Sequence, residues 1–356
     1  MSFKTDSPRR LPGYKLALFA TAFAVAVVVL GAFTRLVDAG LGCPDWPGCY
    51  GHLAWPNDSS EIARAEQLFP DAPVETHKTW PEMVHRYFAG TLGLLIVGLT
   101  FLAWKNREEE GYPFRLPILL LFLVVWQALF GMWTVTLKLW PQIVTLHLLG
   151  GFTTFALLWL LAVRLDNHRW RVSASALMKI QSIKPWVIGG IVVLVLQILL
   201  GGWTTSNYAA FACPDLPACQ GQWLPEMDFA EGFNVFQTIG PNYLGGLMES
   251  EARVAIHFTH RVGAIVTTIY ILGLCSALLR IDAPSIKKVV FLVAGLLALQ
   301  ICLGISNILL MVPLVIAVAH NAVGAFLLLS LVLLATRLWM AQPESGTTPA
   351  DEEVAA

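Results

Sequence analysis

Eight apolar stretches, each long enough to cross a membrane, constrain the fold of this 356-residue chain more than any other feature. They lie near residues 16–37, 81–104, 116–137, 142–163, 185–206, 254–279, 289–310 and 314–336. A membrane helix needs about 20 apolar residues to span the hydrocarbon core. Charged residues make up only 13% of the sequence, about half of the share that soluble domains carry. The sequence therefore predicts an all-α integral membrane protein with eight transmembrane helices.

The basic residues are unevenly divided between the two sets of loops. Most of the 23 Lys and Arg residues lie in the N-terminal segment, which contains Lys4, in the loops after spans two, four and six, or after span eight. Lysine and arginine accumulate on the cytoplasmic side, so both termini are predicted to be cytoplasmic. The short basic N-terminus leads directly into a span, which is typical of an uncleaved signal anchor and favours a bacterial inner (plasma) membrane. A net charge of −1 predicts no nucleic-acid partner.

An internal duplication divides the chain into two halves. Residues 31–49 match residues 201–219 without a gap, and further matches continue to the last span. Each half contains four spans, so both halves share one orientation and are expected to be related by a pseudo-twofold axis along the membrane normal. Four-helix bundles commonly house cofactors between facing helices. The predicted domains are an N-terminal bundle at 15–164, a cytoplasmic linker at 165–184 and a C-terminal bundle at 185–338.

Four histidines within the spans form two matched pairs, His85 with His147 and His260 with His320. Polar side chains inside a membrane are costly, which favours a functional role. In each half the two spans run in the same direction, so the two imidazoles can face each other at one level near the outer leaflet. Neutral imidazole is a common ligand of haem iron, and the sequence predicts one haem site per half. A di-iron site is the alternative, but it would need several carboxylates and only Glu82 is available.

The two halves differ beside the first histidine of each pair. Glu82 precedes His85 by about one helical turn, whereas His257 stands in the matching place before His260. A carboxylate beside only one site predicts a division of labour, with one half holding a permanent haem and the other a reacting ligand. A carboxylate there could move protons or stabilise positive charge on a substrate carbon. The alternative is an acid favoured by the helix dipole, immediately after Pro81 in a first helical turn.

Arginines follow the first histidine of each pair. Arg86 and Arg261 are candidate contacts for haem propionates, because a guanidinium group matches the two oxygens of a carboxylate. The alternative is that both arginines extend toward lipid headgroups.

Two Cys-x5-Cys pairs follow spans one and five, Cys43 with Cys49 and Cys213 with Cys219. Both pairs lie on the predicted non-cytoplasmic side, where disulfide bonds persist. Each pair is therefore either a structural disulfide or a redox-active one. The spacing alone does not decide between these two roles.

With these motifs the chain resembles the heme A synthase family over about residues 15–338. The signals are Thr34-Arg35-Leu36, the two Cys-x5-Cys motifs, Glu82-Met-Val-His85-Arg86, Thr145-Leu-His147-Leu-Leu-Gly-Gly151, Asn207-Tyr-Ala-Ala210, His260-Arg261 and His320-Asn321. The family oxidises the C8 methyl of haem O to the formyl group of haem A for terminal oxidases. The resemblance implies that His260 and His320 ligate a resident haem b. It also implies that His85 and His147 bind the substrate haem O and that Glu82 is essential to its oxidation.

Two other functions use the same sequence features. A di-haem electron-transfer cytochrome linked to quinol would also have two histidine pairs, but it has no evident need for a carboxylate beside one site. A transporter with parallel repeats would bind no chromophore. The lipid bilayer and haem O are the expected partners. Haem O synthase, an electron acceptor and an oligomeric assembly are compatible with the leading function, although no residue specifies them.

Overall fold

The computed structural model describes residues 9–238 and 240–344, and Lys4 of the predicted basic segment lies outside them. The described α-helices are α1 (Tyr14–Leu36), α2 (Ser59–Leu68), α3 (Thr76–Lys105), α4 (Arg115–Thr136), α5 (Pro141–Asp166), α6 (Ala174–Ser206), α7 (Phe229–Gly232), α8 (Ser250–Leu279), α9 (Pro284–Leu309) and α10 (Leu314–Trp339). Eight of these described helices, all except α2 and α7, are long and apolar enough to cross a membrane. The predicted all-α class and number of spans are confirmed, and the chain is a multi-pass membrane protein.

The long helices pack in two groups that repeat the same contacts. In the first half α1 packs against α3 and α5, and α4 packs against α3 and α5. In the second half α6 packs against α8 and α10, and α9 packs against α8 and α10. Between the halves α5 meets α6, α1 meets α10, and α5 packs against α10. These contacts are compatible with a pseudo-twofold axis that runs between α5 and α10.

Several helices extend beyond the predicted spans. The expectation that Pro81 lies in the first turn of its helix is wrong, because α3 begins at Thr76 and Pro81 is inside it. Two contacts stabilise the added turn, since Thr79 is fully buried and Lys78 forms an ion pair with Glu75 at 2.8 Å. Since α8 also begins earlier than predicted, the first histidine of each pair lies further from its helix start than expected.

The short segment between α5 and α6 ties the two halves together at one end of the bundle. Strand β1 (Arg171–Val172) pairs in parallel with β2 (Gln342–Pro343) beyond α10. The buried guanidinium of Arg337 binds the Asp166 carboxylate at 2.8 Å, and Arg10 binds the same carboxylate at 3.1 Å. Ser173 caps α6 by accepting a hydrogen bond from the backbone N–H of Ala176, so the predicted linker is helical from Ala174 onward. This end carries the basic loops and is called the basic end below.

The opposite end of the bundle carries the long loops and is called the loop face below. It includes residues 37–75 and the described parts of 207–249. Asp58 caps α2 there, accepting hydrogen bonds from the backbone N–H groups of Ser60 and Glu61 at 2.9 and 2.8 Å. On the sides of the bundle, large apolar residues such as Phe101, Phe122 and Ile269 are exposed, as expected for helices that face lipid.

Candidate functional site

The two histidines of the first half face each other inside the bundle. The ring centres of His85 on α3 and His147 on α5 are 6.5 Å apart, and the ring planes are perpendicular at 89°. The Nδ1 atom of each ring is buried without a hydrogen-bond partner. Two imidazoles that bind one metal ion at about 2 Å have ring centres about 6 Å apart. The observed spacing of the two rings therefore suits a metal centre such as haem iron, and the donor set fits a haem.

Each of the four histidine rings lies against a glycine of a neighbouring helix. A Cβ atom added at Gly31, Gly131, Gly201 or Gly304 would lie 2.9, 3.4, 3.2 or 3.2 Å from the Cε1 atom of His85, His147, His260 or His320, respectively. Glycine lowers helix stability, so its repeated use inside apolar helices needs a packing reason. The four glycines occupy matching places in the duplicated sequence, but the sequence alone does not indicate that they pack against the histidine rings.

The histidines of the second half have side-chain amides beside them. The Nε2 atom of Gln197 lies 3.1 Å from Nδ1 of His260, and it also donates a hydrogen bond to the backbone carbonyl of His260 at 3.0 Å. The amide nitrogen of Gln300 lies 3.3 Å from Nε2 of His320, whose Nδ1 is buried without a partner. Both amides therefore lie within hydrogen-bonding distance of a ring, a contact that the sequence alone does not indicate.

Glu82 is buried, with 5% of its surface exposed, and its carboxylate is held from two directions. One oxygen accepts a hydrogen bond from the backbone N–H of Cys43 at 3.0 Å, and the other pairs with the Arg86 guanidinium. Because α3 begins at Thr76, Glu82 is not in the first turn, and the helix dipole does not account for it. His257 is equally buried at the matching place, and its Nδ1 has no hydrogen-bond partner.

Arg86 and Arg261 bind the backbone of the cysteine loops in this structure. Arg86 donates to the carbonyl oxygens of Asp45 at 3.0 Å and Pro47 at 3.2 Å, and to that of Gly48. Arg261 donates to the carbonyl oxygen of Ala218 at 2.8 Å and to that of Cys213 at 2.6 Å. The arginines thus connect each histidine helix to its cysteine loop, while contact with a haem propionate stays a prediction.

Both cysteine pairs form disulfide bonds within their own motifs, Cys43–Cys49 and Cys213–Cys219, as the sequence allowed. In the first loop the Asp45 carboxylate accepts hydrogen bonds from the backbone N–H groups of Tyr50 and Gly51, at 2.6 and 2.8 Å.

The second loop repeats this arrangement. Asp215 accepts hydrogen bonds from the N–H groups of Gln220 and Gly221, at 2.6 and 2.7 Å, and these bonds hold the pKa of the Asp215 carboxyl below its usual range. The aspartate of each Cys-Pro-Asp motif therefore closes the loop that its disulfide staples.

Tyr50 provides a pH-dependent probe of the first loop. Its phenol is buried, donates to the carbonyl of Pro73 at 3.0 Å, and lies near Glu75 and Asp45. Burial is the largest cause that raises the pKa of Tyr50 from 10.0 to about 12, and repulsion by these carboxylates is the next largest. The neutral phenol contributes to the stability of the folded protein, and this contribution is complete below pH 10 and is lost as pH rises through about 12. We expect the ultraviolet absorbance titration of the parent minus that of Tyr50→Phe to show one phenol ionising near pH 12. A phenol ionising near pH 10 would contradict the packing of this loop.

The fold and the four histidines define a multi-pass membrane protein with a paired-imidazole site in its first half and a second histidine pair at the matching place in the repeat. Residues 14–332 match the COX15-CtaA family, described as cytochrome oxidase assembly protein. The chain belongs to this family.

Curated relatives support the assignment over most of the chain. The chain is 45% identical over 317 residues to the heme A synthase of Shewanella oneidensis, which covers 89% of this chain and 94% of the relative. It is 29% identical over 347 residues to the heme A synthase of Rhizorhabdus wittichii, covering 91% of this chain and 93% of the relative. The heme A synthase of Caulobacter vibrioides is 27% identical over 345 residues.

Proposed function

We propose that this chain is a heme A synthase, an oxidoreductase that converts the C8 methyl of haem O into the formyl group of haem A for terminal oxidases. The observation that carries the proposal is the buried carboxylate of Glu82, which lies beside the histidine pair of the first half only. The matching place in the second half holds His257. A duplicated fold with two histidine pairs but only one carboxylate beside them fits one site that carries out the reaction and one site that holds a resident haem.

The two halves receive different haems in this proposal. His85 and His147, in the bundle of residues 15–164, hold the substrate haem O, and the 6.5 Å spacing of their rings supports ligation of one iron between them. His260 and His320, in the bundle of residues 185–338, hold a resident haem b. The amide of Gln197 beside His260, which has no counterpart in the first half, supports a permanently bound group, because such partners fix the orientation of a ligating imidazole.

Glu82 is the proposed catalytic residue, and its surroundings prepare it for that role. Oxidation of a methyl group to an aldehyde removes electrons and protons and adds one oxygen atom, which water can supply, and it passes through hydroxylated carbon with loss of water from the resulting gem-diol. When bound, the haems would carry those electrons to an external electron acceptor, the oxidant of the overall reaction. The carboxylate of Glu82 accepts a proton or stabilises positive charge at the substrate carbon. Its bonds to Arg86 and to the backbone N–H of Cys43 fix its position.

The proposed topology places the loop face on the non-cytoplasmic side of a bacterial inner membrane. The basic end then lies in the cytoplasm together with both termini, in agreement with the distribution of lysine and arginine. Both disulfides lie on the loop face, which supports the same orientation because disulfides persist outside the cytoplasm. The histidine sites then lie toward the outer leaflet.

Extraction of haems from cells that make haem O tests the proposal. Cells that also express this chain are expected to contain haem A by chromatography, whereas cells without it contain only haem O and haem b. The di-haem electron-transfer cytochrome, the second candidate function, predicts a purified protein that contains haem but leaves the haem O of the cells unchanged. That outcome would contradict the synthase.

A further inference from the structure

The second histidine pair has a polar neighbour that the first pair lacks. We propose that Gln197 is a positioning residue that fixes the His260 imidazole as an iron ligand and thereby makes the haem of the second half resident. This inference rests on the proposed function, because it requires a haem at His260 and His320. It adds the reason why two matched sites would hold their haems with different strength.

The contact between Gln197 and His260 links helices α6 and α8. The amide nitrogen lies 3.1 Å from Nδ1 of the ring and 3.0 Å from the backbone carbonyl of the same residue. The amide oxygen is buried without a hydrogen-bond partner. Half a turn about the last side-chain torsion exchanges the two amide atoms. This exchange gives up the bond to the His260 carbonyl, so the proposal requires the amide to shift away from that carbonyl and toward the ring. With the oxygen toward the ring, Nδ1–H donates to it, and the lone pair of Nε2 is free to bind iron.

A glycine on the facing helix makes room for this amide. A Cβ atom at Gly263 would overlap the amide oxygen of Gln197, so a larger residue there displaces the amide. Gly263 lies one helical turn after His260, on the same helix. The glutamine and the glycine therefore form a complementary pair beside the imidazole.

The first half lacks both members of this pair. Val27 and Phe88 stand where the duplication has Gln197 and Gly263. Phe88 stacks on Phe23 with ring centres 5.2 Å apart, and Nδ1 of His85 is buried without a hydrogen-bond partner. The other amide pair, Gln127 and Gln300, is present in both halves. The difference between the halves at these positions is thus confined to the neighbour of the first histidine.

This difference matches the two tasks of the proposed function. Partners of a ligating histidine typically change metal affinity about 10- to 100-fold. A substrate haem must enter and leave as product, so a less strongly held imidazole suits the first site. A resident haem is retained through many turnovers, which an oriented imidazole favours.

The experiment measures haem loss from the second site in the full-length protein in detergent. The His85→Ala background removes the first site, and excess apomyoglobin captures the haem that is released. Gln197→Val introduces the residue of the first half, and Gly263→Ala displaces the amide without deleting it. Both changes are expected to speed haem loss about tenfold or more. Gly273→Ala is the matched control on the same helix, since a Cβ there contacts nothing within 4 Å, and it is expected to leave the rate unchanged.

The midpoint potential of the second haem separates positioning from simple packing. An acceptor for Nδ1–H makes the imidazole more electron-rich and stabilises ferric iron. Gln197→Val is therefore expected to raise the midpoint potential and Gln197→Glu to lower it. If Gln197 only fills space, the two variants are not expected to shift the potential in opposite directions.

Two results overturn different parts of the argument. Haem loss from Gln197→Val at the parental rate, with an unchanged potential, overturns the role of Gln197. Full haem content after His260→Ala in the same background overturns the proposed second haem site, and the inference falls with it.

Discussion

Glu82→Gln is expected to reduce haem A production about 100-fold or more while the protein keeps its haem, because a positioned proton acceptor contributes about 10²- to 10⁴-fold to a rate. Glutamine keeps an oxygen that can accept the hydrogen bond from the backbone N–H of Cys43, so the loop contact survives. Arg86 also keeps its bonds to the carbonyl groups of the first loop. The measurement is the ratio of haem A to haem O extracted from cells that make haem O, at matched protein levels.

The duplicated sequence offers a matched control for this change. His257→Gln alters the same place in the second half, next to the resident haem of the proposal, and is expected to have a much smaller effect. Asp45→Asn loosens the first cysteine loop without touching Glu82 and tests whether loop order alone explains the loss. Parental haem A production by Glu82→Gln would show that the carboxylate only anchors the loop.

The hydropathy of the sequence predicted the number of spans, because transfer of about 20 apolar residues into lipid determines where a helix crosses the membrane. It did not predict where helices end outside the membrane. Pro81 shows the reason. The turn before it is held by burial of Thr79 and by the pairing of Lys78 with Glu75, which are tertiary contacts that hydropathy does not report. The start of α6 at Ala174 depends in the same way on the cap from Ser173.

The sequence singled out the polar residues of the candidate site but not its small ones. The histidines and Glu82 were identifiable because polar groups in an apolar span are costly and therefore conspicuous. The arginines were expected to face a ligand, but their hydrogen bonds to loop carbonyls depend on how the cysteine loops fold back onto α3 and α8. The glycines that seat the histidines matched in the duplication, but a glycine carries no chemical signal of what packs against it.

Gly31→Ala is expected to weaken haem binding at the first site about tenfold or more, the effect typical of losing a group that orients a ligating histidine. The added Cβ would lie 2.9 Å from Cε1 of His85, closer than packed atoms tolerate, so the ring must move. Alanine favours a helix over glycine by about 1 kcal/mol, so the change does not weaken α1 itself. A loss of binding therefore reports the ring and not the fold.

The contacts of the other glycines predict a graded series, measured by haem titration of the Soret band with the second site removed by His260→Ala. Gly131→Ala is expected to have a smaller effect than Gly31→Ala, because its Cβ would lie 3.4 Å from His147, an ordinary contact. Gly90→Ala on α3 has open space around the added atom and is the matched control, expected to bind haem as the parent does. If Gly31→Ala binds haem as tightly as Gly90→Ala, the imidazole of His85 does not need its glycine seat, and the ligand geometry inferred for the first site is wrong.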